Sequence, residues 1–402
     1  MNKFLKDSSL NIISNLLVVV AIQLIAFPII SRVANSKEFA LLIVLYGIAI
    51  VIATSLGNTL NNVRLLHREG FDYKDRENVF SKYFIAILII NIIVFTIICV
   101  FYSKTFNLNI LLMIIFSLLL TSRYYLNVYF RENLNYKNIL FVNLSVLIGY
   151  IIGIIIFLFI KLYSVVFLLG EVFGLIYLLR KTVFLKYFSL KRSSFQSENK
   201  NILKDYLNFS FINIVINILN YLDRFILLPI IGPVLVNVYF IASTASKMIG
   251  LVTTPINNVI LSYLTVDNGN KNLKRFIQIN IGIIIVSIPM FFIVKYSSLL
   301  VVYILYHNYF EKVYLIINLV VLICLLQIFI SIFHPFSMRM INSKIILYIQ
   351  LGYALIYILL AFYGSYIYGI YGFCWSTIIS MLLKLLTTNS LVISISMKKG
   401  RN

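Results

Sequence analysis

The chain has 402 residues, 61% of them hydrophobic and only 12% charged, with a mean hydropathy of +0.98 and a formal charge of +21. That composition excludes an ordinary soluble domain and describes a polytopic helical membrane protein. The positive charge does not point to nucleic acid, because it is concentrated in the short breaks between apolar runs.

Taken in chain order, apolar runs of nearly full span length recur with short polar breaks. The first, residues 10–30, is too long for a cleavable signal and lacks a small-residue cleavage site after it, so it reads as the first helix. The other five spans of the first half are predicted at residues 39–60, 83–102, 110–130, 139–160 and 165–185. After a polar gap come 207–231, 236–261, 276–294, 313–335, 345–363 and 370–393, giving twelve in all.

The placement of Lys and Arg supports this count. One set of alternate breaks holds 24 of them, the opposite set holds six (Arg32, Lys37, Lys104, Lys161, Lys295 and Lys312), and four lie within spans. The rule that positive charge collects on the inner side puts both termini in the cytoplasm. Arg64, Arg76 and Arg131 are counted among the cytoplasmic loop charges. The outer breaks are short, and two of them, residues 295–312 and 363–373, are rich in Tyr and suit an interfacial belt.

The longest polar break, residues 186–204, divides the chain into a six-helix lobe at residues 1–190, a cytoplasmic linker at 191–204 and a second six-helix lobe at 205–402. Fragments of the halves resemble one another. Pro28-Ile29-Ile30-Ser31-Arg32-Val33 matches Pro229-Ile230-Ile231-Gly232-Pro233-Val234 at an offset of 201, and Asn61-Asn62-Val63 matches Asn257-Asn258-Val259 at 196. Asn11 and Asn15 parallel Asn213 and Asn217. An even number of helices per half gives parallel repeats about an axis along the membrane normal. The expected fold is an all-α membrane protein of about twelve transmembrane helices. Its two six-helix lobes are related by pseudo-two-fold symmetry, in a V shape with a central cavity.

Apart from Arg180 and Lys181, counted with the cytoplasmic charges, six charged residues fall inside spans: Arg123, Glu171, Asp223, Arg224, Lys247 and Lys384. A basic residue at the bilayer centre costs roughly 2.5–3.5 kcal/mol on insertion scales, so such residues have a reason to be there. Arg123 and Lys384 sit toward the ends of their spans and could snorkel. Glu171 reads either as a surface carboxylate or as a protonatable coupling group. In the seventh span Asn213, Asn217, Asn220 and Arg224 recur at i, i+4, i+7 and i+11, one stripe of a helix, with Tyr206 on the same stripe. Lipid cannot satisfy amides or a guanidinium, so this face must look onto protein or water. Asp223 points about 100° away from it, toward a different neighbour. One reading pairs Asp223 with Arg224 structurally; the other makes the charged residues line a hydrated cavity of net positive charge.

Such a cavity favours phosphate or diphosphate over a cation, because a guanidinium gives paired hydrogen bonds to phosphate oxygens. The asparagines suit sugar hydroxyls. Arg224, Lys247, Arg123, Lys384, Asn213, Asn217 and Asn220 are therefore the candidate substrate residues, and Asp223 and Glu171 the candidate ion-coupling residues. The sequence carries no phosphate loop, no metal-type His or Cys spacing and no nucleophile elbow. The scattered Cys99, Cys324 and Cys374 give neither a disulfide framework nor a metal site, and no cofactor is implied.

The chain also resembles a known family. Asn220-Tyr221-Leu222-Asp223-Arg224-Phe225-Ile226-Leu227, then Ile231-Gly232-Pro233, Val238-Tyr239 and Ala242, are similar to the seventh and eighth helices of the polysaccharide repeat-unit flippases, of O-antigen and capsule type. Tyr368-Gly369-Ile370-Tyr371-Gly372 resembles the approach to their last helix. These flippases belong to the multidrug/oligosaccharidyl-lipid/polysaccharide exporter superfamily. The resemblance implies transfer of an undecaprenyl-diphosphate-linked oligosaccharide from the inner to the outer leaflet of the bacterial cytoplasmic membrane, by ion-driven alternating access. It implies membrane lipids, the lipid-linked oligosaccharide, and a polymerase and chain-length regulator of the same pathway as partners, with no nucleic acid. Lys247 falls where the family often faces a polar or basic residue to the cavity. A membrane enzyme of the same pathway, polymerase or acyltransferase, and a small-molecule exporter are the alternatives.

Overall fold

The computed structural model describes residues 2–67, 73–182, 196–250, 271–341 and 343–399, and among them every regular element is helical. The helices follow the twelve predicted passes in order. The first pass is α1 (Asn2–Val20), a π-helical segment (Ala21–Ala26) and α2 (Phe27–Val33). The second is α3 (Ser36–Ile52), a second π-helical segment (Ala53–Asn58) and α4 (Thr59–Leu66). Passes three to six are α5 (Tyr73–Ser103), α6 (Leu108–Leu126) with the short α7 (Val128–Glu132), α8 (Tyr136–Ile160) and α9 (Ser164–Lys181). The seventh is α10 (Gln196–Asn220) followed by α11 (Leu222–Ile231), and the eighth is α12 (Pro233–Gly250). The ninth and tenth are α13 (Lys271–Leu305) and α14 (Phe310–Met340). The last two share α15 (Ser343–Lys399), which is interrupted at Gly369.

Nine helices among the described residues are long and apolar enough to cross a membrane. Helix α9 is more charged than these, with Glu171, Arg180 and Lys181, and α15 holds two passes in one run. The protein is a multi-pass membrane protein. The large residues left uncovered, such as Ile89, Ile93, Ile97, Phe211 and Leu355, are apolar, as a surface meeting acyl chains requires.

Two breaks fall on glycines that the sequence marks. Gly232 (φ +84) separates α11 from α12, and Pro233 then opens the new helix. Gly369 (φ +60, ψ −139) separates the last two passes. Both conformations strain any residue carrying a Cβ. The first and seventh passes are also irregular at matching places in the chain: the first turns π-helical at Ala21, and the seventh breaks at Tyr221, 200 residues later.

By internal packing the chain divides into Met1–Leu222 and Asp223–Asn402. Helix α10 thus packs with the first six passes. The polar linker proposed at 191–204 lies partly, and Asn257-Asn258-Val259 wholly, outside the described residues. In the first unit, one apolar core joins Leu60 and Val63 of α4, Phe80 and Phe84 of α5, Tyr125 of α6, and Ile202 and Tyr206 of α10.

Passes five and six pack backbone against backbone. Each carries a Gly-x-x-x-Gly: Gly149-Tyr150-Ile151-Ile152-Gly153 and Gly170-Glu171-Val172-Phe173-Gly174. A Cβ at Gly149 would stand 2.5 Å from the Leu169 carbonyl oxygen, and one at Gly153 would stand 2.7 Å from Val166 Cα. Lipid tails are as apolar as leucine, so helices in a bilayer associate through close packing and hydrogen bonds; small residues allow the first and free backbone for the second.

Candidate functional site

That close packing sets Glu171 against Arg123. Arg123 is in the last turn of α6, and a Cβ added at Gly174 would stand 3.2 Å from its Cδ. Glu171 is wholly buried (0% exposed). Arg123 donates from Nε to Glu171 Oε2 at 2.5 Å and from Nη2 to Oε1 at 2.9 Å. Its Nη1 donates to Asn143 Oδ1 at 3.1 Å, and the Tyr150 hydroxyl donates to Glu171 Oε1 at 3.4 Å. Asn143 in turn donates to Ser14 Oγ at 2.7 Å, which carries the network to the first pass. Snorkelling does not describe Arg123, and a surface carboxylate does not describe Glu171. The two residues, given separate roles in the sequence reading, form one bidentate pair in a satisfied network.

A buried pair of this kind is expensive to break and cheap to replace. Removing one partner strands the other charge and typically costs about 3–5 kcal/mol, whereas replacing both by apolar residues is often near neutral. Arg123→Met alone is therefore expected to lower the detergent-solubilised melting temperature strongly. Arg123→Met with Glu171→Met is expected to recover most of that loss. An equal or deeper loss in the double variant would show that the pair is not the source of the effect.

A second buried cluster was not found from sequence. Arg64, at the end of α4, is 0% exposed. Its Nε donates to Glu132 at 2.9 Å, and its Nη atoms donate to both oxygens of Glu77. Nη1 also donates to the hydroxyls of Tyr125 (3.0 Å) and Tyr129 (3.2 Å), and the guanidinium lies 4.5 Å from the Tyr129 ring centroid. Arg76 Nη2 stands 3.8 Å from Glu132. Nearby, Arg131 donates to Asn61 and Asn62, each at 2.8 Å. Arg64 and Arg76 are therefore not the solvated loop charges expected from the charge count. The signal lay in the acids: the chain has only 13 Asp and Glu, and two of them flank span ends here.

The asparagine stripe of α10 is also occupied. Asn213 Nδ2 donates to Thr59 Oγ1 at 2.8 Å and Asn217 Nδ2 to Ser55 Oγ at 3.2 Å. Tyr206 and Ser210 are buried on the same stripe, while Phe211 and Ile212 are exposed on the far side of the helix. The face does look onto protein, as the sequence requires, and the protein it meets is the second pass. Asn220, at the end of α10, is exposed.

In the second unit the cations rest on aromatic rings. Arg224 lies 4.8 Å from the Phe240 centroid. Lys384 Nζ lies 4.5 Å from the Tyr353 centroid, and Tyr353 stacks on Tyr357 at 5.7 Å with 12° between the planes. Asp223 is buried and within electrostatic reach of Tyr239 and Tyr357. Asp223 and Lys384 thus border one aromatic cluster, which continues through Phe373. Among the described residues no carboxylate forms an ion pair with Lys384. The side chain of Lys247 lies outside the described residues.

Comparison of the sequence with protein-family models and with curated proteins finds no match. Comparison of the fold with solved structures finds several. The lipid II flippase MurJ in an inward closed conformation has a TM-score of 0.68 and 15% identity, covering 98% of this chain and 90% of that one. An inward-facing multidrug resistance MATE family transporter of the MOP superfamily has a TM-score of 0.62 and 12% identity, covering 94% and 95%. A MOP superfamily transporter from Pyrococcus furiosus, described as having a binding pocket of reverse polarity, has a TM-score of 0.54 and 13% identity, covering 96% of each chain. At such identities the likeness speaks for architecture, and by that measure the chain has the two-lobed, all-helical fold of the MOP superfamily transporters.

Proposed function

We propose that the protein is a flippase that moves an undecaprenyl-diphosphate-linked oligosaccharide from the inner to the outer leaflet of the bacterial cytoplasmic membrane, for surface polysaccharide. The observation that carries this reading is the state of the cations. Arg64 and Arg123 are each matched to carboxylates, so their charge is spent inside the first unit. Lys384 instead stands on a tyrosine ring, which steadies an ammonium without neutralising it. A held, uncancelled cation in an apolar segment is suited to an anionic group, and the diphosphate of a lipid-linked sugar is one. Likeness to a lipid II flippase supports a lipid-linked substrate.

In this reading Arg224 and Lys384, with Lys247, hold the diphosphate. Coupling to a proton or sodium gradient falls to Asp223 rather than Glu171, whose two oxygens are both engaged by Arg123. Both termini are cytoplasmic, and a polymerase and chain-length regulator take up the product outside. The likeness to a MATE transporter favours a second reading, export of a small molecule.

Reconstitution separates the two. Proteoliposomes loaded with a fluorescent polyprenyl-diphosphate disaccharide are expected to expose the inner-leaflet label to an impermeant quencher over time. A lipophilic cation is expected not to move. Transport of the cation with a static disaccharide lipid would reverse the assignment.

A further inference from the structure

The contacts of α10 with the second pass share one register. His67 Nε2 stands 3.0 Å from Asp205 Oδ2, Thr59 accepts from Asn213 at 2.8 Å, and Ser55 accepts from Asn217 at 3.2 Å. From His67 to Thr59 the chain goes back eight residues, and from Asp205 to Asn213 it goes forward eight. From Thr59 to Ser55 it goes back four, and from Asn213 to Asn217 forward four. Two antiparallel helices in contact along one line give this matched stepping, since residues four apart share a helix face. The contacts form a ladder of polar rungs. Its last rung sits in the π-helical segment Ala53–Asn58, and its far end leads, through the backbone bonds of Tyr221 to Asn217 and Ile218, into Asp223 and Arg224.

We infer that Asn213, Asn217 and Asp205 are positioning residues: they dock α10 on the second pass in a single register and do not themselves touch the transported molecule. The inference rests on the flippase reading for its transport consequence, and it takes Asn213 and Asn217 out of the sugar-binding set. The donors of both asparagines face hydroxyls of the protein's own second pass. Apolar substitutes would leave those hydroxyls to fold back on their own helix and would remove the register marks. In lipid, polar rungs fix which turn meets which, because packing of apolar side chains alone tolerates sliding.

The test is an exchange of partners, read with the fluorescent polyprenyl-diphosphate disaccharide. Asn217→Ala and Ser55→Ala are each expected to slow flipping about tenfold, the effect of one hydrogen bond. Ser55→Asn combined with Asn217→Ser is expected to restore it, as is Thr59→Asn with Asn213→Thr. A residue that binds sugar cannot be rescued from the opposite helix. Exchanges as slow as the single asparagine variants, at normal protein levels, would overturn the inference, as would single variants that flip at the full rate.

A second measurement does not need transport. In a chain with Cys99, Cys324 and Cys374 changed to Ala, Ser55→Cys with Asn217→Cys is expected to form a disulfide on mild oxidation. Thr59→Cys with Asn217→Cys, one turn out of register, is expected not to. The opposite pattern refutes the register. If the unaltered chain fails to flip the probe, the flippase reading falls, while the disulfide pattern still decides whether the ladder docks α10.

Discussion

Arg64→Met is expected to remove most folded protein from the membrane, well beyond any effect on transport rate. Arg64 faces two carboxylates, Glu77 and Glu132, and two tyrosine hydroxyls, all from passes three and four, in α5, α6 and α7. Taking away the guanidinium strands Glu77 and leaves Glu132 with Arg76, 3.8 Å away, in a place the structure has sealed. Stranding one buried charge typically costs about 3–5 kcal/mol, and whole domains are held by about 5–15 kcal/mol. One stranded acid beside another that keeps a single, more distant cation is a large part of that margin. Protonation would relieve part of the cost but would leave hydroxyls without their partner. Yield after detergent extraction and the melting temperature of what remains should both collapse. Adding Glu77→Gln and Glu132→Gln to the same chain should restore a substantial part of the yield. Normal yield and melting in Arg64→Met alone would show that the cluster does not hold the first unit together.

Arg224→Gln with Lys384→Gln is expected to behave in the opposite way, with stable protein and little flipping. Each residue rests on a ring, and a ring tolerates an amide above it. The loss should therefore appear in function. A hydrogen bond to a charged group contributes about 1.5–3 kcal/mol, and two such losses correspond to a rate effect of about 100-fold or more. Tyr353→Phe should be close to wild type, because the ring face and not the hydroxyl carries the ammonium. Tyr353→Leu should resemble Lys384→Gln. Flipping that stays within twofold in the double glutamine variant would exclude both cations from the substrate path.

Much of the architecture was legible in the sequence because membrane helices satisfy their backbones internally and so must be long, apolar and evenly punctuated. Gly232 and Gly369 could be singled out before any coordinates, and each proved to be a backbone break that only glycine adopts without strain. The polar stripe of α10 was legible as a face needing a neighbour. What faced it was not, because Thr59 and Ser55 lie more than 150 residues away in the chain. The pairing of Arg123 with Glu171 was hidden for the same reason, at a separation of 48 residues. Arg64 was missed for a different reason. Counting Lys and Arg by loop assumes that a cation near a span end is solvated, and the count cannot tell a free arginine from one folded back onto acids.

The four glycines where α8 meets α9 carry one more implication. With backbone of α9 pressed against Gly149 and Gly153, and the side chains of Tyr150 and Val146 against Gly170 and Gly174, no acyl chain, probe or bulky label can be wedged into that seam. Passes five and six therefore act as one thick rod. Spectroscopic reporters placed on the two of them are expected to keep a constant separation while the protein works, which would make the pair a ruler for movement of other helices.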